Sequence, residues 1–68
     1  MRVTVNGSPE ELEAGATVAS VVQSLGVPGG GRGLAVAVDG EVVPRGQWSS
    51  SALSDGARLE VVVAVQGG

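Results

Sequence analysis

The chain contains no cysteine, no histidine and no lysine, and a single aromatic residue, Trp48, among its 68 residues. Without cysteine there is no disulfide, and without cysteine or histidine the usual structural metal sites are closed. The same absences remove the Ser–His and Cys–His pairs of nucleophilic catalysis; Ser49-Ser50-Ser51 has no imidazole to activate it. Glu10, Glu11 and Glu13 lie close in sequence, but with no nitrogen or sulfur ligand available they read as a solvated strand edge. No metal and no bound cofactor is expected. Basic residues are also scarce, all of them arginine, and the net charge is −3. Phosphate recognition needs a basic surface, so nucleic acid is not an expected partner. Apolar runs such as Leu34 to Val38 are far too short to span a bilayer. Residues 1–16 carry acidic residues and lack the basic-then-apolar layout of a signal peptide. The expected compartment is the cytoplasm, with no membrane partner.

Isoleucine, phenylalanine and tyrosine are absent as well, so the core must be built from Val, Leu and Ala. A domain of this size buries only about 60% of the surface its unfolded chain exposes, which leaves no room for a deep catalytic cleft. Valine is stiff at its first side-chain torsion and favours strands, so a sheet-rich fold is expected.

Arg2-Val3-Thr4-Val5 alternates polar and apolar, the period of a half-buried strand. Asn6-Gly7 then marks a tight hairpin, because both residues tolerate positive φ. It predicts a short second strand near Pro9 to Glu13. Thr17 is placed as a helix N-cap, followed by an apolar stripe of Val18, Val21, Val22 and Leu25. Gly26 and Pro28 end that helix, expected over residues 18–25. Gly29-Gly30-Gly31-Arg32-Gly33 reads as a mobile crossover. It lacks the Gly-Lys-Ser/Thr and following helix of a phosphate loop. Leu34 to Val38 is a strand with Leu34, Val36 and Val38 inward and Ala35 and Ala37 outward. Asp39-Gly40 returns the chain through Glu41-Val42-Val43, and Pro44 ends that strand. Gln47 to Ala52 is expected to be an irregular turn with Trp48 folded inward. Leu53 to Gly56 turns into the last strand, Leu59 to Val65, which presents Leu59, Val61, Val63 and Val65 on one face. Being the most apolar strand, it belongs in the middle of the sheet, with the first strand close to it.

Two surface features stand out. Gln66-Gly67-Gly68 leaves the last strand as a flexible tail beyond a domain of residues 1–65. On composition alone, a frayed terminus or a cloning remnant explains it as well as a working tail does. Ala35, Ala37, Val62 and Ala64 form a small outward apolar patch if their strands are neighbours. Exposed contiguous apolar area marks interfaces; equally, Ala is small and tolerated, and Val62 has strand propensity. Arg45 serves either to meet a partner or to brace its loop, and Trp48 to plug the edge of the core.

These pieces together resemble the thiamine-biosynthesis sulfur carrier family (ThiS), over essentially the whole chain. The resemblance is carried by Val3-Thr4-Val5-Asn6-Gly7, by Thr17-Val18 with Leu25, by Val42-Val43-Pro44-Arg45-Gly46-Gln47-Trp48, and by Asp55-Gly56 through Val65 to Gly67-Gly68. The Val-Pro-Arg-x-x-Trp segment is the specific part, at the right distance from the Gly-Gly end. Ala57-Arg58 departs from the family, which often has an acidic residue there, and this could alter a partner contact.

The resemblance implies an α+β, ubiquitin-like β-grasp fold: a mixed sheet of about five strands with one short helix across one face. It implies a carrier rather than an enzyme. In that reading an E1-like (ThiF-like) adenylyltransferase uses ATP and magnesium to adenylate the Gly68 carboxylate. A persulfide sulfur donor converts it to a thiocarboxylate, and the sulfur passes to a ThiG-like thiazole synthase. Gln66 and Gly67 would enter the enzymes' channels with Gly68, and glycine's missing Cβ permits close backbone approach there. The lack of lysine leaves no side-chain amine for the activated tail to acylate. Related carriers for molybdopterin, cysteine or natural-product synthesis share the tail chemistry. A β-grasp interaction module that is never activated is the alternative of a different class.

Overall fold

A computed structural model describes residues 1–26 and 32–63. The element order is β1 (Arg2–Val5), β2 (Ser8–Glu11), α1 (Val18–Ser24), β3 (Leu34–Val38), β4 (Glu41–Val43), a 3₁₀ helix (Arg45–Ser50) and β5 (Arg58–Val63). The five strands form one mixed sheet in the order β2-β1-β5-β3-β4. The last strand is therefore central, parallel to β1 and antiparallel to β3.

Both dipeptide turns form as their chemistry requires. Asn6 and Gly7 take φ of 52° and 83°, and Asp39 and Gly40 take 51° and 87°. Positive φ at both central residues defines a type I′ turn, whose twist matches that of the flanking strands. The turns set the registers Val5↔Ser8 and Val38↔Glu41. β2 is shifted from its expected span of Pro9 to Glu13, because the two-residue turn brings Ser8 directly into the ladder. Beyond Glu11, a mutual backbone pair between Met1 and Leu12 closes the ladder. The chain then turns at Glu13, whose carbonyl accepts from Ala16 N–H. β2 is an edge strand with every side chain exposed, and Pro9 and its acidic residues discourage pairing with another chain.

α1 opens on a reciprocal cap. The Ser20 N–H donates to Thr17 Oγ1 at 3.2 Å, and the Thr17 N–H donates to Ser20 Oγ at 2.9 Å. Val18, Val21 and Val22 are buried against the sheet. Leu25 was expected to complete that stripe but is the C-cap and stays 45% exposed. It borders an open hollow with Val5, Glu10 and Leu12, where the edge of the sheet gives little cover.

The core joins Val3, Val5, Val36 and Leu59 of the sheet to the three helix valines and to Trp48, Leu53 and Ala57. The segment from Arg45 to Ser50 is a regular 3₁₀ helix and not an irregular turn. Its buried Trp48 lies beside Ala19 and Val22 of α1. Val18 N–H donates to Ser51 O and Leu53 N–H to Ala16 O, tying the start of α1 to the chain after the 3₁₀ helix.

On the helix-facing side of β5, Leu59 is fully buried and Val61 half-buried, but Val63 is 66% exposed. The inward role expected for Val63 therefore fails. Seven helical residues rise only about 10 Å, whereas six strand residues span about 20 Å, so α1 cannot cover the far end of β5. Val65 lies outside the described residues, as do Gly29, Gly30 and Gly31 of the expected crossover. Of that crossover, Arg32 and Gly33 form a turn with Gly33 at φ 80°.

Candidate functional site

Ala64, Gln66, Gly67 and Gly68 lie outside the described residues; what the structure defines is the base from which they extend. That base is β5, held along both edges. On one side Thr4 N–H donates to Ala57 O at 3.0 Å and Asn6 N–H to Leu59 O at 2.9 Å. On the other side β3 pairs along its length, from Leu34↔Val63 to Val38↔Leu59.

The two hairpin tips add a second set of ties. Asp39 N–H donates to Arg58 O at 2.8 Å, and Arg58 N–H donates to Asp39 Oδ1 at 3.0 Å. Asn6 Nδ2 donates to Val61 O at 3.0 Å, and Val61 N–H donates to Asn6 Oδ1 at 2.8 Å. Each turn residue thus uses its side chain to bind the central strand as well as its backbone to make the turn. Sequence reasoning identified Asn6 and Asp39 only as turn formers. The signal it lacked was the partner, which sits 55 positions away for Asn6.

The sheet face opposite α1 carries Ala35, Ala37 and Val62 of the expected patch. Ala35 pairs with Val62, and Ala37 lies between Val42 and Glu60 in adjacent strands. Val62 is 56% exposed. Val42, missed in the sequence, is 73% exposed and enlarges the patch across β4. These side chains line an open groove of about 250 Å³, with Asn6 and Glu60 at its border. β5 thus contributes Val62 to the face and also carries the chain toward residues 64–68. Arg45 does not line this groove. Its guanidinium sits 5.5 Å from the Trp48 ring centroid, a cation–π contact that braces the 3₁₀ helix. Trp48 is buried at 5% exposure and donates its indole N–H to Val43 O at 2.9 Å. Ala57, where the chain departs from the resembled pattern, is in the core, while Arg58 is exposed.

Among the described residues, no group of three or more Asp or Glu side chains is placed to hold a metal ion. No helix among them is long and apolar enough to cross a membrane. The described surface thus offers an open apolar groove beside a strand supported on both edges.

A five-stranded mixed sheet, one short helix across a single face and a central C-terminal strand define a ubiquitin-like β-grasp protein. The sequence model of the ThiS family matches residues 3–68, and the chain belongs to that family of small sulfur carriers. The fold is similar to the crystal structure of thiamine biosynthesis protein ThiS from Geobacter metallireducens, with a TM-score of 0.84 and 27% identity over 100% of both chains. It is also similar to the solution structure of a thiamine biosynthesis protein from that organism, with a TM-score of 0.76 and 27% identity over 100% of this chain and 88% of the other. A thiazole synthase of Paramagnetospirillum magneticum is 34% identical over all 68 residues. The chain spans 20% of that relative's length.

Proposed function

We propose that the chain carries sulfur for thiazole formation in thiamine biosynthesis, and that Gly68 is the group that bears it. A carboxylate is a poor acyl donor. Activation begins when a Gly68 oxygen attacks the α-phosphorus of ATP on a magnesium-dependent, E1-like adenylyltransferase, and pyrophosphate leaves. The terminal sulfur of a persulfide then attacks the acyl carbon and AMP leaves. Cleavage of the resulting acyl disulfide by a thiol reductant frees the thiocarboxylate. A thiazole synthase takes the sulfur. The chain is a substrate of these enzymes and not itself a catalyst, and it acts in the cytoplasm.

The observation that carries this reading is the match to the ThiS family over residues 3–68, which reaches the terminal Gly-Gly. The thiazole synthase relative supports the choice of acceptor, since a stretch of that longer protein matches the whole of this chain. The geometry supports the mode of delivery. The five residues 64–68 reach at most about 18 Å when fully extended. The partner's docking site must therefore lie within that distance of its reacting centre. The groove of Ala35, Ala37, Val42 and Val62 is the face that meets the enzymes, and Ala64 joins it in the contact. Gln66 and Gly67 enter their channels with Gly68.

Intact mass decides the point. The protein is incubated with ATP, magnesium, a sulfide source and an E1-like adenylyltransferase already shown to act on another carrier. The expected product has gained the mass of one sulfur in exchange for one oxygen, located at Gly68. A chain lacking Gly68, or extended by one residue after it, is expected to show no gain. An unchanged mass for the intact chain overturns the proposal.

A further inference from the structure

We infer that Asn6 is a positioning residue for Gly68, fixing β5 at Val61 and with it the strand end that precedes the tail. The inference rests on the sulfur-carrier reading and deepens it.

The turn alone does not account for this side chain. At the first central position of a type I′ turn, Gly, Asn and Asp all accept the positive φ. A carboxamide differs from both alternatives in carrying a donor and an acceptor side by side, as a peptide unit does. Here it uses both on one residue: Nδ2 meets Val61 O at 3.0 Å, and Oδ1 meets Val61 N–H at 2.8 Å. The preceding rungs between β1 and β5 are backbone bonds to Ala57 O and Leu59 O. Past Asn6 the β1 backbone turns away into the hairpin, and the carboxamide supplies the next rung in its place.

The position of that rung matters. Val61 gives both its N–H and its C=O to Asn6, which makes it the last point, among the described residues, at which β5 is tied on its β1 edge; across the other edge it lies opposite Val36 of β3. Val62 and Val63 pair with β3 and are both exposed, so this is where the strand would begin to open. Releasing Val61 moves that opening toward the core and lengthens the segment that must be ordered when the tail enters an enzyme. Ordering each added residue opposes, entropically, the alignment of Gly68 at the reacting centre of an enzyme already docked on the folded domain. Asn6 also borders the apolar groove, so one side chain couples the docking face to the exit of the tail.

Asn6→Gly and Asn6→Asp both keep the turn and test the side chain separately. In Asn6→Gly, the Val61 amide is expected to exchange about tenfold faster, the equivalent of one lost hydrogen bond, while the Val36 amide is unchanged. With the adenylyltransferase, kcat for thiocarboxylate formation is expected to fall about tenfold or more from misplacement of the reacting group, with KM preserved. Asn6→Asp keeps the acceptor for Val61 N–H and should fall between the two. A purely structural role would act through the folded fraction, raising apparent KM and leaving kcat untouched. Wild-type kcat in Asn6→Gly, or an unaltered Val61 amide, overturns this inference while the carrier reading stands. A wild-type chain that is not converted by an enzyme proven on another carrier overturns the carrier reading and this inference with it.

Discussion

Trp48 shows how much one residue carries in so small a core. It is the single aromatic of the chain, it is buried, and its indole N–H is satisfied by Val43 O at 2.9 Å. It fastens the 3₁₀ helix to α1 on one side and to the end of β4 on the other. Trp48→Phe keeps most of the volume but removes the donor, and is expected to cost about 1 kcal/mol of stability. Trp48→Ala also leaves a cavity and should cost about 3–5 kcal/mol. A domain of this length has roughly 3–10 kcal/mol in total, so the alanine variant should lie at the edge of folding. Urea denaturation followed by circular dichroism checks both. Equal losses in the two variants would mean that the hydrogen bond dominates and the packing contributes little.

At the scale of the element, α1 is the least self-sufficient part of the fold. It has seven residues, three of them valine, and such a sequence does not hold a helix alone. Burial of those valines and the reciprocal Thr17–Ser20 cap hold it in place. Thr17→Ala removes the acceptor for the Ser20 N–H and is expected to cost about 1 kcal/mol. In a domain of this size that lowers Tm by about 4–8 °C. A thermal melt tests it; a Tm within one degree of the wild type would assign the helix entirely to packing. β5 contrasts with α1. Its neighbours β1 and β3 pair along both edges, and the two hairpin tips add side-chain bonds at Arg58 and Val61. The strand nearest the proposed chemistry is thus the most firmly held.

At the scale of the molecule the two faces of the sheet differ, one covered and one open. One side of the sheet is closed by α1 and the 3₁₀ helix; the other leaves Val42 and Val62 exposed beside Ala35 and Ala37. Val62→Glu changes an exposed position, so its effect on folding should stay within about 0.5 kcal/mol. If the groove is the docking face, the same variant raises KM for the adenylyltransferase about tenfold or more, as expected when a charge enters the apolar centre of an interface. Steady-state thiocarboxylate formation measured by mass reads this directly. An unchanged KM would show that these small and branched residues serve only the strand.

Features that depend on near neighbours were legible in the residues themselves. The Asn6-Gly7 and Asp39-Gly40 turns, the Thr17 cap and the alternation of the strands are each governed by a few adjacent residues. The central place of the last strand was legible because it is the most apolar. Features that depend on distant partners emerge with the folded chain. Leu25 and Val63 carry the correct period yet remain exposed, because the helix and the sheet edge end where these residues needed cover. Val42 joins the patch only because β4 lies beside β3, and Asn6 reaches Val61 only because β1 runs parallel to β5. The terminal Gly-Gly belongs to the sequence. The firm strand and the open groove behind it belong to the fold, because long-range pairing alone brings residues 6, 42 and 62 around one groove.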